Sequence, residues 1–463
     1  MAGSKRQLGA ISGGLLLTFC GGIHIGWSVV HLNMSGNGWA VEINEQEYRF
    51  AIVAFFTGVG TMLGILGQVK DFLSNRTWLM IAVSFTLING IIFTAIPIDY
   101  TAIVATRIIA GFGHGIAHVI MTIYIGEIAS KQFRTKFIAM LTASIIAGIT
   151  TFTLISMVTT DATYLEEPAM HPNRALGIII MPLSCAACVL IYFLMVESPI
   201  HLLSQAEYKP ALNNLKILRD ELEESTRTSE EFEDMKLLTG TANSSLMAKM
   251  FYNEGNMKAF SNCLTMKLAN LLIFNYSMNK AKMEYMSAMF DTTNVSLSWA
   301  PSILMLSKLF AALVTIFSID LLPRRFQYTI SATVTGSFLL AFGIVLAISD
   351  YVEPWIAPFL YITAEVFTAL GMLPISEIQI SEAFPPLKKA MSVVGVLICE
   401  YVGHIVVFII YFNTPSTPEG VYIETIVLAS VILLKSFLAF FTIPDTRNTT
   451  LREALQLLSK SKR

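Results

Sequence analysis

Acidic and basic side chains recur in this chain at matched spacings. Asp71 stands five residues before Arg76, and Asp320 stands five before Arg325. Glu127 stands seven before Arg134, and Glu382 stands seven before Lys389. Carboxylates and cationic side chains suit charge-assisted contacts that form and break. In a wet interface such a pair is worth only about 1 kcal/mol or less, which fits a contact that must open. The alternative reading is that these charges merely anchor helices at lipid headgroups. His24, His114, His118 and His404 lie inside apolar runs, where an imidazole either carries a proton or hydrogen-bonds a neighbouring helix. Cys185 and Cys188 form a CxxC within an apolar run and read as small packing residues rather than as redox or metal ligands. No phosphate-cradling loop, metal-ligand spacing or catalytic triad is present, so the residues indicate neither an enzyme nor a metal or other cofactor.

The elements that carry these charges are membrane spans. Of 463 residues, 54% are hydrophobic and 14% charged, against roughly 25% charged in an average soluble domain. The net charge of -2 offers no basic face for nucleic acid. A bilayer core about 30 Å thick needs about 20 mostly apolar residues per helix. Twelve such stretches lie near 11–31, 50–69, 77–96, 101–126, 136–159, 174–196, 262–290, 298–320, 326–349, 354–381, 389–412 and 421–443. The first reads as a retained helix rather than a signal peptide. Residues 197–261 change character, with the charged run KILRDELEESTRTSEEFEDMK, and read as a linker with short amphipathic helices. The expected division is a six-helix bundle at 1–196, the linker at 197–261, a second six-helix bundle at 262–443 and a tail at 444–463.

Lys and Arg fall on one side of these spans, including Lys5, Arg6, Lys131, Lys388 and Arg463, and the opposite loops are acidic or neutral. That asymmetry predicts both termini on the cytoplasmic side. Two sequons, at Asn33 and Asn294, then fall outside. The matched acid–base spacings recur at corresponding span edges, so the chain reads as two parallel six-helix repeats. Such repeats form a transporter architecture with its site at the midplane between the halves.

Several motifs, in order, resemble the sugar porter family of the major facilitator superfamily, including animal facilitative glucose transporters. They are Arg107-Ile-Ile-Ala-Gly111-Phe-Gly113-His-Gly115 with Tyr124-Ile-Gly-Glu127, then Glu197-Ser198-Pro199, Asp320-Leu-Leu-Pro-Arg324-Arg325, Glu382-Ala-Phe384-Pro385 and Pro444-Asp445-Thr446. Gly26-Trp27-Ser28 is similar to insect members, trehalose transporters among them. The resemblance implies an all-α, twelve-helix fold that works by alternating access. It also implies an inner gate of Asp71, Arg76, Glu127, Arg134 and Glu197 in the first half, with Asp320, Arg324, Arg325, Glu382, Lys389 and Asp445 in the second. The gate motifs are thinned: the loop after the second span keeps Asp71 and Arg76 but lacks one glycine and one arginine, and Pro323 stands where the second copy has glycine.

The site positions depart further. Counting without gaps, the sugar-binding positions of the family fall on Thr142, Lys308, Glu377 and Glu400, and in the seventh span on Phe274, Asn275 and Lys280. The acid of proton-coupled members falls on His24, a proton-relay candidate. A neutral hexose suits amides, which donate and accept without a charge to desolvate. Charges at membrane depth instead pair or face a cavity, so Lys308 is expected to pair with Glu377 or Glu400. Glu365, Lys267 and Lys435 are further intramembrane charges; the two lysines read as snorkelling or lining the bundle interior. Three readings stay open: a site for a charged solute, a sensor that no longer transports, or a diverged sugar site with the charges off the cavity. The reading adopted is a secondary transporter of a small polar solute, a sugar first, in the plasma membrane, with the bilayer and that solute as its partners.

Overall fold

The computed structural model describes residues 2–33, 45–161, 172–223, 225–240, 254–274, 282, 299–348, 355–413 and 417–459. The first half comprises α1 (Ala2–Asn33), α2 (Glu45–Val69), α3 (Asn75–Ala95), α4 (Tyr100–Ile128), α5 (Arg134–Asp161) and α6 (Pro172–Leu194). Three short helices follow: α7 (Pro199–Ser204), α8 (Tyr208–Arg219) and α9 (Thr226–Gly240). The second half holds α10 (Glu254–Phe274), α11 (Trp299–Ser318), α12 (Arg324–Ala347), α13 (Ile356–Phe367), α14 (Leu373–Glu382), α15 (Pro386–Asn413) and α16 (Pro418–Thr442). A last helix, α17 (Leu451–Ser459), closes the described chain.

Eleven helices among the described residues are long and apolar enough to cross a membrane, with α13 and α14 forming one span. The remaining expected span, 262–290, is described as far as Phe274, where it forms the second part of α10, and again at Lys282 alone. Residues 34–35 of the first sequon and all of the second lie outside the described residues.

Helix starts follow from local chemistry. Ser74 caps α3 by accepting from the Thr77 N–H at 3.1 Å, and Asp99 caps α4 by accepting from Ala102 at 2.8 Å. Each such cap is worth about 1 kcal/mol. Glycine lets helices approach: a Cβ on Gly148 of α5 would collide with the Phe19 carbonyl of α1. Gly111 of α4 bears in the same way on Phe55 of α2. Backbones this close gain dispersion contacts that substitute for the hydrophobic drive missing in lipid.

A π-helical turn, Thr368–Met372, separates α13 from α14. Its freed backbone groups are satisfied by side chains of neighbouring helices. Thr315 donates to the Ala369 carbonyl at 3.1 Å, Gln327 donates to Leu370 at 3.1 Å, and the Met372 N–H donates to Ser331 Oγ at 3.3 Å. Broken helices survive in lipid only when so compensated. This turn sets the rotation of α14, which carries Glu377 and Glu382.

The halves repeat one packing plan. α3 packs on α6, and α12 packs on α16. Between the halves, α2 lies against α15 and α5 against α11. A twofold relation that takes α2 to α11 and α5 to α15 exchanges those two contacts, as a parallel repeat requires. A separate small core joins Ile200, Leu203, Leu215, Phe232 and Met235 of the short helices with Leu451 of α17.

Candidate functional site

Two polar clusters lie between the halves. The first closes one end of the bundle, where α5, α12, α14 and the segment after α16 converge. Glu382 is wholly buried at its centre. Arg324 pairs with it through both Nη atoms, the longer bond at 3.3 Å, and Thr446 Oγ1 donates to it at 2.7 Å. Arg134, from the other half, reaches the same carboxylate at 3.5 Å and also donates to the Thr449 carbonyl at 3.4 Å. Arg324 in turn donates to Thr135 of the first half at 3.2 Å. One carboxylate therefore ties the two bundles together.

The other acids and bases of the expected gate take separate roles. Glu127 accepts from Ser198 Oγ at 2.6 Å. Glu197 accepts from the N–H groups of Asn75 at 3.1 Å and Arg76 at 3.4 Å, a carboxylate at the positive end of α3. The Arg76 side chain does not meet Asp71: it lies over the Tyr192 ring and donates to the Tyr192 carbonyl at 2.5 Å. Asp71 is exposed, with Lys70 at 3.6 Å. Nor does Asp320 meet Arg325. The Asp320 carbonyl accepts from Arg447 at 3.3 Å, and Arg325 stacks on Phe326 and Phe440. Asp445 is held by Arg447, with Nη2 at 2.9 Å. Lys389 is buried against Gly126, with no hydrogen-bond partner for Nζ among the described residues. Matched spacing thus marks equivalent places in the two repeats, not contacts.

The second cluster lines a cavity of about 90 Å³ between the halves. By the roughly 10–15 Å³ needed per water centre, it has room for about half a dozen waters. Lys267 of α10 bonds Glu377 of α14 and stands 3.0 Å from Glu400 of α15. His118 Nε2 lies 3.4 Å from the same Glu377 oxygen. Tyr401 OH shares hydrogen bonds with His114 Nε2 at 3.0 Å and His118 Nδ1 at 3.3 Å. His404 stacks on Phe56 with 5.3 Å between ring centres. Both halves supply walls, Thr142 among them.

The structure thus brings Thr142, Glu377 and Glu400 to one cavity. Lys308 is elsewhere, in a wholly buried ion pair with Glu365 of α13. Pairing of Lys308 with Glu377 or Glu400 is therefore overturned: Lys267 holds both carboxylates. The physical reason is helical phase, since each residue of register turns the side chain by about 100°. Asn275 and Lys280 lie outside the described residues, as does the side chain of Phe274. His24 does not line the cavity. Its ring stacks between Phe55 and Phe93, and its carbonyl accepts from Arg107 at 2.9 Å. Arg107 is enclosed by the Trp27 ring at 4.4 Å, the Phe55 ring at 4.6 Å and Ser28 Oγ at 2.6 Å. That desolvated cation–π box ties α4 to α1 and α2. Sequence reasoning did not assign His118 or Tyr401 to the site. The available signal was spacing: His114 and His118 are four apart and share a helix face.

A buried polar cavity between two repeated six-helix bundles, closed at one end by ion pairs, defines a membrane transporter of the major facilitator fold and not an enzyme. Residues 10–458 match the Sugar (and other) transporter family, and the chain belongs to that family. It is 21% identical to the sugar transporter ERD6 of Arabidopsis thaliana, over 98% of this chain and 87% of that protein. It superposes with a TM-score of 0.78 on the proton:xylose symporter XylE bound to 6-bromo-6-deoxy-D-glucose, at 16% identity and 98% coverage of both chains. Against the inward-open conformation of XylE from E. coli the TM-score is 0.66, at 16% identity over 98% of this chain and 99% of that one.

Proposed function

We propose that this chain is a secondary transporter that carries a small polar solute, a sugar, across the plasma membrane by alternating access. Both termini then face the cytoplasm. The observation that carries the reading is Glu382 shared by Arg134 and Arg324 across the two halves. A contact of that kind closes one end of the cavity while the halves are together and is lost when they rock apart. The better superposition on sugar-bound than on inward-open XylE agrees with a state closed at that end. ERD6 is a sugar transporter and XylE a proton:xylose symporter.

The solute meets Glu377, Glu400, His118, Tyr401 and Thr142. Carboxylates and imidazoles accept from hydroxyls, and Tyr401 both donates and accepts. One observation favours a second reading: among the described residues Lys267 faces two carboxylates, Glu377 and Glu400, an excess of acid over base that suits a cationic solute. Uptake into vesicles reconstituted with the purified chain decides between them. Labelled xylose, glucose and trehalose are offered beside a panel of amines and amino acids, with and without a pH gradient. Saturable sugar uptake supports the first reading. Uptake of amines alone replaces it with the second.

A further inference from the structure

A cavity of about 500 Å³ lies away from the central one, at the gate end of the second half. α10, α12, α16 and the tail wall it, and three cations line it: Lys258, Arg325 and Lys435. None of the three pairs with a carboxylate among the described residues. Among the described residues Lys435 bonds only the Thr265 hydroxyl, at 2.6 Å. Arg325 rests on two phenylalanine rings, and its Nε is buried without a hydrogen-bond partner. Asp445 is the one acid on the wall, and Arg447 engages both its oxygens at 2.9–3.1 Å.

Lys435 stands seven residues before Thr442, where α16 ends. At 1.5 Å per residue that is about 10 Å inside the span. A charge at that depth needs a counter-charge or a route to the surface, and its stem leans toward α10 rather than out along α16. The wall beside it is apolar and open, with Leu438 48% and Phe441 57% exposed. The cavity thus presents cations without a carboxylate partner among the described residues, from the end of the span inward to Lys435, and apolar surface beside them.

We infer that this cavity holds the headgroup of an anionic phospholipid from the leaflet at the gate end, with an acyl chain lying along Leu438 and Phe441. The phosphate accepts from Lys258, Arg325 and Lys435. Basic pockets between spans are a recurrent form of headgroup site. The occupant bridges α10, α16 and the tail, so it stabilises the second half.

The test uses the full chain in detergent. Native mass spectrometry measures retention of phosphatidylglycerol against phosphatidylcholine, and thermal unfolding measures stabilisation by each lipid. Wild type is expected to retain phosphatidylglycerol roughly tenfold better and to melt higher in its presence. Lys258→Gln/Lys435→Met is expected to lose both preferences, and Lys5→Gln, a basic site elsewhere, to keep them. If the double variant does not fold, Lys258→Gln alone and Lys435→Arg take its place, with a partial loss and retention expected respectively. Unchanged preference in the double variant, or in Lys258→Gln where that stands in, overturns the proposal. So does equal stabilisation by inorganic phosphate, which makes the cavity a site for free anions.

Discussion

Arg134 Nη1 and Glu382 Oε1 stand 3.5 Å apart although 248 positions separate the residues in the chain. They belong to different halves, so their separation tracks whether the halves are closed. Arg324 shares the carboxylate from within the second half. The two cations are therefore unequal partners. Removing the carboxylate strands two buried guanidiniums, whereas removing Arg134 leaves Glu382 with Arg324 and Thr446.

Glu382→Gln should accordingly destabilise by about 3–5 kcal/mol, the usual result of breaking a buried pair, and Arg134→Gln by clearly less. Thermal unfolding in detergent measures both. Equal losses would mean that losing the Arg134 contact alone costs as much as losing the carboxylate, making Arg134 rather than Arg324 its main partner.

The central cluster makes a different demand. Lys267→Met leaves Glu377 and Glu400 facing each other without a cation, and should lower stability by several kcal/mol. Adding Glu377→Gln or Glu400→Gln should recover part of it, with a coupling of about 0.5–3 kcal/mol. Lys308→Met should gain nothing from either substitution. A double-mutant cycle in which Lys308 couples to Glu377 as strongly as Lys267 does would place the wrong lysine at the site.

How far these residues were legible follows from what one dimension records. Spans are legible because about 20 apolar residues are a local property, and the family motifs are local strings. Arg134 and Glu382 were recognisable as gate residues by their motifs, but their contact spans the interface and leaves no trace in spacing. Asp71 and Arg76 show the converse, being regular in sequence and apart in space. Lys308 and Lys267 were both visible as intramembrane charges. Choosing between them needed the rotation of α11, and that of α14 as set by the π-helical turn, and no string of residues states a rotation.

Two acids outside the spans give a pH signature. Burial by itself would raise Asp445, but the hydrogen bonds and charge of Arg447 outweigh it and hold the carboxyl below the usual range. Glu221 is lowered chiefly by the Thr228 hydroxyl, which donates at 2.6 Å, and by Ser225 at 2.8 Å. Both folded-state values lie below the unfolded ones, near 4. Their stabilisation is therefore present above about pH 4 and lost as pH falls through the depressed values. Asp445→Asn/Glu221→Gln should lower the melting temperature at pH 6, and the gap to wild type should close as the pH falls through the depressed values. A constant difference between the two proteins across that range would show that neither carboxylate is linked to folding.

The Lys308–Glu365 pair separates stability from transport. Each side chain is 1% exposed, and neither lines the central cavity. Burying two charges costs several kcal/mol each, and their attraction only roughly returns it, so an apolar replacement of both is commonly neutral or better. Breaking one partner alone leaves a buried charge uncompensated. Lys308→Met should therefore be destabilising by about 3–5 kcal/mol, while Lys308→Met/Glu365→Leu should melt close to wild type. If the solute binds where Glu377 and Glu400 stand, the double variant should also keep its KM for uptake, and Glu377→Gln should raise it. A raised KM in a double variant of normal stability would move the solute toward α11 and α13 and make this pair part of the binding site.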